Sequence, residues 1–141
     1  HVGRLDIDTS GLLLLTNDGE LANRLTHPSY EIPKTYIARV HGEVKPGVRR
    51  RILEGVELED GPIAVDSFRT METYGDITTV EIIVHEGRNR LVRRLMDEVG
   101  YPVRELVRTK FGPIRLEHLQ PGTMRRVKGP QLAALYDAVG L

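Results

Sequence analysis

The sequence predicts an α+β fold, in which helices flank a mixed, mainly antiparallel sheet. Three observations predict it: strand-like segments outnumber helical ones, turn residues separate the strands, and the helical segments are short. At 141 residues, with 40% hydrophobic and 28% charged residues, the chain has the size and composition of one globular domain. No apolar run approaches the ~20 residues that a membrane span needs, and a cytoplasmic location is the default expectation.

The first third of the chain is predicted to contain two strands and one helix. Residues 12–16 form a short apolar run bounded by turn residues, which is typical of a buried strand. Asp18 is a candidate N-cap for a short helix over 20–26, and His27-Pro28 should end that helix because proline disfavours helical backbone in the residue before it. Residues 34–41 alternate apolar and polar side chains, as a half-buried strand does.

The middle of the chain is predicted to form a helix and then two strands. A helix is expected from about residue 46 to 53, because Pro46 favours a helix start and Gly55 can end it. Segments 57–65 and 67–73 are predicted strands around the turn signal Asp60-Gly61.

The last part of the chain opens on the clearest strand, residues 78–85, which is rich in β-branched side chains. Residues 90–99 place one apolar stripe opposite a face of arginines, which predicts an amphipathic helix that ends at Gly100. Two further strands and a final helix are predicted at 103–110, 113–116 and 131–139.

The charges are unevenly distributed, although the formal net charge is zero. Residues 1–87 hold 9 Lys and Arg against 15 Asp and Glu, a net charge of −6, whereas residues 88–141 hold 11 against 5, a net charge of +6. A basic second half is compatible with binding to a nucleic-acid backbone. A solvated helix face is the other interpretation of the same residues.

Several classes of site lack the residues they need. The chain has no cysteine, which excludes disulfides and thiolate metal sites. Its five histidines are scattered without metal-ligand spacing, and it has no glycine-rich loop of the nucleotide-binding kind. We therefore expect neither a metal nor a cofactor.

The polar turn before the leucine run has three interpretations. A calcium loop would use Asp6, Asp8 and Ser10 as its first ligands, but its twelfth position, normally a bidentate Glu, is Asn17. A phosphotransferase with an Asp-x-Asp-x-Thr signature would need an apolar strand before the motif and a threonine one place later than Thr9. The third interpretation is a resemblance to a known family.

Two long blocks resemble bacterial ribosomal-RNA pseudouridine synthases of the type that modifies single uridines in small- or large-subunit rRNA. They are GRLDIDTSGLLLLTNDGELANRLTHPSYEIPKTYIARVHG at residues 3–42 and HEGRNRLVRRLMDEVGYPVRELVRTKFGPIRL at residues 85–116. The resemblance implies a pseudouridine-synthase-like sheet, ribosomal RNA as the partner, and residues 1–141 as a catalytic domain. It also leads us to expect that the N-terminal part of this domain and any accessory RNA-binding domain are missing. The oligomeric state is not predicted, and a monomer is assumed.

The resemblance assigns the catalytic carboxylate to Asp6, in Arg-Leu-Asp. Pseudouridine formation breaks the glycosidic bond of uridine, turns the uracil and rejoins it through C5, so it needs a carboxylate at the ribose but no redox cofactor. Whether Asp6 attacks carbon or removes a proton is left open. Asp8 is the nearby rival, interpreted here as a turn residue.

The resemblance also implies the residues that bind the substrate. Arg4 would help to displace the target nucleotide, Tyr36 would pack against the uracil, and Leu106 would line its pocket. Either Arg93 or Arg88 would pair with Asp6 and keep it ionised.

Two other functions remain as alternatives. One is a non-catalytic RNA-binding or ribosome-assembly module on the same scaffold. The less favoured one is the Asp-dependent phosphotransferase.

Overall fold

A mixed sheet forms the centre of the computed structural model, which describes residues 1–141. The strands are β1 (Ser10–Gly11), β2 (Lys34–His41), β3 (Val56–Leu58), β4 (Gly61–Ile63), β5 (Ser67–Tyr74), β6 (Ile77–Val84), β7 (Val103–Phe111) and β8 (Ile114–Arg115). The helices are α1 (Gly19–Thr26), α2 (Pro46–Glu54), α3 (Leu91–Glu98) and α4 (Pro130–Asp137). No helix is both long and apolar enough to cross a membrane.

The sheet runs in the order β1-β7-β2-β6-β5, and β8 pairs with β7. Only the β1–β7 pair is parallel, while β3 and β4 form a separate antiparallel hairpin. The predicted class, α+β with a mixed and mainly antiparallel sheet, is therefore confirmed.

Most predicted elements form where the sequence indicates them. Residues 34–41 are a strand over their whole predicted length, and α2 ends at Gly55. The Asp18 side chain accepts a hydrogen bond from the Leu21 N–H at 3.1 Å and so caps α1. The segment predicted as one strand over 57–65 is instead two short strands on either side of a turn at Glu59 and Asp60.

The prediction of a buried strand at 12–16 is wrong. Leu12 and Leu14 are buried, but Leu13 and Leu15 are 41% and 62% exposed, and only Leu14 forms a bridge, to Val2. The regular pairing stops because the Leu12 carbonyl accepts its hydrogen bonds from the Arg108 side chain instead of from a strand.

Gly11 allows the close approach at this point. It has φ of +115°, and a Cβ atom there would lie 2.2 Å from the Arg108 carbonyl oxygen. Only glycine fits such a position, and this contact holds the polar turn against the middle of β7.

Two hydrophobic clusters pack against the sheet. The larger joins α2, α3 and the β3–β4 hairpin to the central strands, and the smaller joins α1, α4 and β8 to the N-terminal segment. The N-terminal end of α3, the start of β2 and the polar turn lie where these two clusters meet, and the candidate site is there.

Candidate active site

A cavity of about 430 Å³ opens between the two hydrophobic clusters. Its wall includes Leu25 and Phe111 from the smaller cluster and Val84, Leu91 and Leu106 from the larger one. The volume is in the range of pockets that hold small ligands.

A tight turn places one aspartate, Asp6, in the cavity wall and another, Asp8, outside it. The Thr9 N–H donates to the Asp6 carbonyl at 2.9 Å, which closes a β-turn over residues 6–9. Asp6 is half-buried and lines the cavity together with Arg4, whereas Ile7 and Asp8 are exposed. Side chains two residues apart on an extended segment point the same way, which is why Arg4 and Asp6 share one wall.

The floor of the cavity comes from neighbouring strands. Tyr36 on β2 lies opposite Arg108 on β7, and Ala38 lies opposite Leu106. Tyr36 is half-buried and Leu106 is 6% exposed, and both line the cavity. An aromatic ring and an aliphatic side chain therefore bound the space in front of Asp6.

Two arginines at the start of α3 hold Asp8. The Arg90 guanidinium donates to both carboxylate oxygens of Asp8, at 2.9 and 3.0 Å. Arg93 donates to the backbone oxygen of Asp8 and, at 3.3 Å, to the Val103 carbonyl. Its buried Nε lies 3.4 Å from the Asp8 carboxylate but makes no hydrogen bond.

Two further arginines hold the turn of the β3–β4 hairpin. Arg94 donates to both carboxylate oxygens of Asp60, at 2.8 and 3.1 Å, and Arg88 reaches the same carboxylate at 3.1 Å. Arg88 also pairs with Glu86. Ion pairs thus connect the start of α3 to the polar turn on one side and to the β3–β4 hairpin on the other.

The ion pair expected between Asp6 and Arg93 or Arg88 does not form in this structure. Asp6 has no cationic nitrogen within the 4.0 Å of an ion pair, because Arg93 lies against Asp8 and Arg88 against Asp60 and Glu86. The turn directs Asp8, and not Asp6, towards α3. Asp8 was interpreted from the sequence as a turn residue only, and nothing local indicated its distant partners.

The ion pairs with α3 lower the pKa values of Asp8 and Asp60. The hydrogen bond from Arg90 holds the pKa of Asp8 below its usual value, and the charges of Arg93 and Arg90 add to the effect. The hydrogen bond from Arg94 lowers the pKa of Asp60 in the same way. Both carboxylates are ionised at neutral pH as partners of α3.

Asp6 is the one carboxylate in the cavity wall that is outside an ion pair. The other acidic side chain there is Glu86, which Arg88 holds. No three His, Asp or Glu side chains converge in this structure. An unpaired carboxylate beside an aromatic ring and several cations can act as a nucleophile or a base on a planar, anionic substrate.

Two residues of the cavity were missed or left undecided by sequence reasoning. Arg108 is 3% exposed, and Lys34 is half-buried. Alternation along a strand could have indicated both, since Lys34 shares a face with Tyr36 and Arg108 shares one with Leu106.

Comparison with known proteins gives consistent matches. Residues 1–98 match a family model described as RNA pseudouridylate synthase. An uncharacterized RNA pseudouridine synthase of Mycobacterium bovis is 52% identical over 141 residues, which are 100% of this chain and 56% of that protein. The ribosomal large subunit pseudouridine synthase B of Pseudomonas aeruginosa is 46% identical over 143 residues, covering 100% of this chain and 37% of the relative.

A solved structure agrees with these matches. A crystal structure of a pseudouridylate synthase superimposes with a TM-score of 0.83 and 32% identity, over 95% of this chain and 58% of the other. This chain spans 56% of the length of the Mycobacterium bovis relative, so it corresponds to about half of that protein.

Proposed function

Since this chain belongs to the RNA pseudouridine synthase family, we propose that it carries the chemistry that isomerises a uridine of ribosomal RNA to pseudouridine, with Asp6 as the catalytic carboxylate. Residues 1–141 would act as a catalytic domain, or as most of one. The observation that carries the proposal is the position of Asp6, a carboxylate in the cavity wall with no ion-pair partner. A cytoplasmic location is part of the proposal, because it brings the protein to ribosomal RNA.

The reaction conserves every atom of the nucleotide. The bond from C1′ to N1 breaks, the uracil turns, and a bond from C1′ to C5 replaces it, while C5 loses a proton and N1 gains one. Asp6 acts on the ribose side of the base, either by attack on carbon or by removal of a proton. No oxidant or reductant enters the balance.

The cavity wall supplies the contacts that the substrate needs. Tyr36 offers a ring on which the extruded uracil can stack, and such stacking is worth ~1–3 kcal/mol per base. Leu106 closes the apolar side of the pocket. Arg4 is exposed at the cavity mouth, where it can help to hold a nucleotide outside its helix at a cost of roughly a few kcal/mol for unstacking.

Arg93 and Arg88 are proposed as supporting cations and not as direct partners of Asp6. Both line the cavity and so place positive charge in the wall that also carries Asp6. Arg93 is the stronger candidate, because Arg88 is held by two carboxylates, Asp60 and Glu86, whereas Arg93 has only Asp8 within ion-pair distance.

Ribosomal RNA is proposed as the substrate because of the relatives. The Pseudomonas aeruginosa relative is named for the large ribosomal subunit, and it aligns with the whole of this chain. The basic second half of the chain is consistent with an RNA backbone as ligand.

Replacement of Asp6 tests the proposal directly. The full-length protein carrying Asp6→Asn or Asp6→Ala is supplied to a strain that lacks the native gene, and pseudouridine in its rRNA is mapped. We expect no product from either variant, with RNA affinity kept within about twofold because phosphate contacts supply the affinity. Asp137→Asn, an exposed aspartate on α4, is the matched control and should restore the modification.

Two outcomes would contradict parts of the proposal. Modification restored by Asp6→Ala would remove Asp6 from its role. Salt-dependent RNA binding by the native protein, without product from any variant, would favour the non-catalytic RNA-binding module.

A further inference from the structure

The cavity wall carries more positive charge than its carboxylates neutralise. Its cations are Arg4, Lys34, Arg88, Arg90, Arg93 and Arg108, and its carboxylates are Asp6 and Glu86. Arg88, Arg90 and Arg93 have carboxylate partners, including Asp8 and Asp60 from outside the wall. Lys34 and Arg108 have none, although both are withdrawn from bulk solvent.

A bulge between β2 and β7 brings these two cations together. Lys34 lies opposite Phe111 and Tyr36 lies opposite Arg108, so three residues of β7 span the distance that two residues of β2 span. Without the bulge, Phe111 and Arg108 would point to opposite faces of the sheet, because they are three residues apart. With it, Lys34, Arg108 and Phe111 share the face that lines the cavity.

The protein supplies hydrogen-bond acceptors for only some of the N–H donors of Lys34 and Arg108. Arg108 uses Nε and Nη2 to donate to the Leu12 carbonyl, at 3.0 and 2.8 Å, and its guanidinium lies 5.0 Å from the centre of the Phe111 ring. Its Nη1 has no hydrogen bond and is not enclosed by protein, so it is open to the cavity. Lys34 Nζ lies 5.6 Å from the centre of the same ring and has no hydrogen bond at all.

Burial of these groups has an electrostatic cost. Withdrawal from water, and after it the charge of Arg108, lowers the pKa of Lys34, while the charge of Glu86 opposes the shift. An unpaired buried cation destabilises a fold, and such groups cluster at sites that bind a ligand of opposite charge. Lys34 and Arg108 are thus two cations that the fold withdraws from water with no carboxylate within ion-pair distance, and both line a cavity.

We propose that Lys34 and Arg108 form a phosphate subsite, which holds one of the two backbone phosphates that flank the extruded uridine. The inference rests on the proposed function, because that function supplies a nucleotide whose base and ribose occupy the same cavity. Lys34 gives a point charge with three donors, and Arg108 gives the free Nη1 donor. Tyr36 lies two residues after Lys34 on β2 and opposite Arg108 on β7, so the base and the phosphate would contact neighbouring side chains of one face of the sheet.

Titration with mononucleotides tests the subsite without catalysis. Uridine, uridine 5′-monophosphate and uridine 3′-monophosphate are titrated into the native chain and followed by NMR. We expect one of the monophosphates to bind roughly tenfold more tightly than uridine, as a charge-assisted hydrogen bond provides. In Lys34→Met this preference should fall to within about twofold.

Two matched variants separate the subsite from general effects. Lys34→Arg keeps the charge and should keep most of the preference for the phosphate. Lys45→Met removes an exposed lysine at the start of α2 and should leave the preference unchanged. Thermal unfolding of each variant establishes that it is folded under the conditions of the titration.

Three results would overturn the proposal. They are a native chain with equal or no affinity for uridine and its monophosphates, a phosphate preference retained by Lys34→Met, and inorganic phosphate bound at Lys34 as tightly as the nucleotide. The last result would assign the site to free phosphate and not to RNA.

A parallel assay of pseudouridine formation by the full-length protein keeps the two proposals distinguishable. Loss of the phosphate preference in Lys34→Met, together with no product from the native protein, would refute the proposed function and leave the subsite. Full activity of Lys34→Met at limiting RNA would refute the subsite and leave the function.

Discussion

Helices α2 and α3 each carry consecutive arginines, but only those of α3 pair with carboxylates, and one of them, Arg93, lines the candidate site. Arg49, Arg50 and Arg51 on α2 are exposed and form no ion pair. Arg93 and Arg94 on α3 are half-buried and pair with Asp8 and Asp60. The same local sequence thus gives a solvated face in one place and the wall of a cavity in the other.

The difference comes from what each helix meets in the fold. The N-terminal end of α3 lies between the polar turn of residues 6–9 and the turn of the β3–β4 hairpin, and both turns present a carboxylate. The partner of Arg90 is 82 residues away in sequence, and the partner of Arg94 is 34 residues away. Helix α2 buries Ile52 against the larger cluster and leaves its arginines in water.

Among changes to the two helices, the largest effect on activity is expected from removal of Arg93, the cavity arginine of α3. Arg93→Met should lower kcat/KM by about 100-fold or more, because loss of one fixed donor near developing charge typically costs 10²–10³. Arg50→Met on α2 should stay within about twofold of the native value. Pseudouridine formation by the full-length protein under single-turnover conditions measures both, and equal effects of the two substitutions would refute the distinction between the helices.

A smaller loss of activity is expected when Asp8, the carboxylate partner of Arg90 and Arg93, is replaced. Asp8→Asn keeps the shape of the turn but removes the charge that orients Arg90 and Arg93. We expect kcat to fall by about tenfold, less than for Arg93→Met, because Arg93 keeps its bond to the Val103 carbonyl. Asp8→Glu should recover part of the loss, and kcat unchanged by Asp8→Asn would show that Asp8 has no positioning role.

The ion pairs of α3 should also appear in the pH dependence of stability. Asp8 and Asp60 have folded-state pKa values below the usual 3.8, so the unfolded chain binds more protons between the folded value and 3.8. Their contribution is therefore fully present well above the unfolded value, at about pH 5, and is lost as the pH falls through the folded values.

Urea unfolding at pH 5 and pH 3 measures this contribution. The double variant Asp8→Asn/Asp60→Asn should lose less stability on acidification than the native chain does. The triple variant Arg49→Gln/Arg50→Gln/Arg51→Gln should lose as much as the native chain. Parallel losses in the native chain and the aspartate double variant would contradict the assigned pKa shifts.

The smallest effect on stability is expected at neutral pH, when the three arginines of α2 are replaced. Because they are exposed and unpaired, the triple variant should change the free energy of unfolding by no more than about 0.5 kcal/mol per site. A larger loss, measured in urea at pH 7, would mean that α2 has partners comparable to those of α3.

Much of the fold could be predicted because its signals are local. Alternation along residues 34–41, the Asp18 cap and the end of α2 at Gly55 depend on neighbours within a few residues, and all three are as expected. The leucine run was misjudged because its length and composition fit a buried strand. The capture of the Leu12 carbonyl by Arg108, a residue 96 positions away, is not visible in that pattern.

In the candidate site, too, some features could be predicted from the sequence and others depend on the tertiary structure. The sequence by itself determined that Arg4, Asp6, Tyr36, Arg88, Arg93 and Leu106 were the residues to consider, because whole blocks of residues match a family pattern, and all six line one cavity. Their individual roles stay predictions. Only the tertiary structure decided that α3 pairs with Asp8 and leaves Asp6 without an ion-pair partner, and that a bulge turns Lys34, Arg108 and Phe111 onto one face. The physical reason is that charge pairing and strand register depend on distances between segments remote in the chain, which the folded backbone sets and local sequence does not specify.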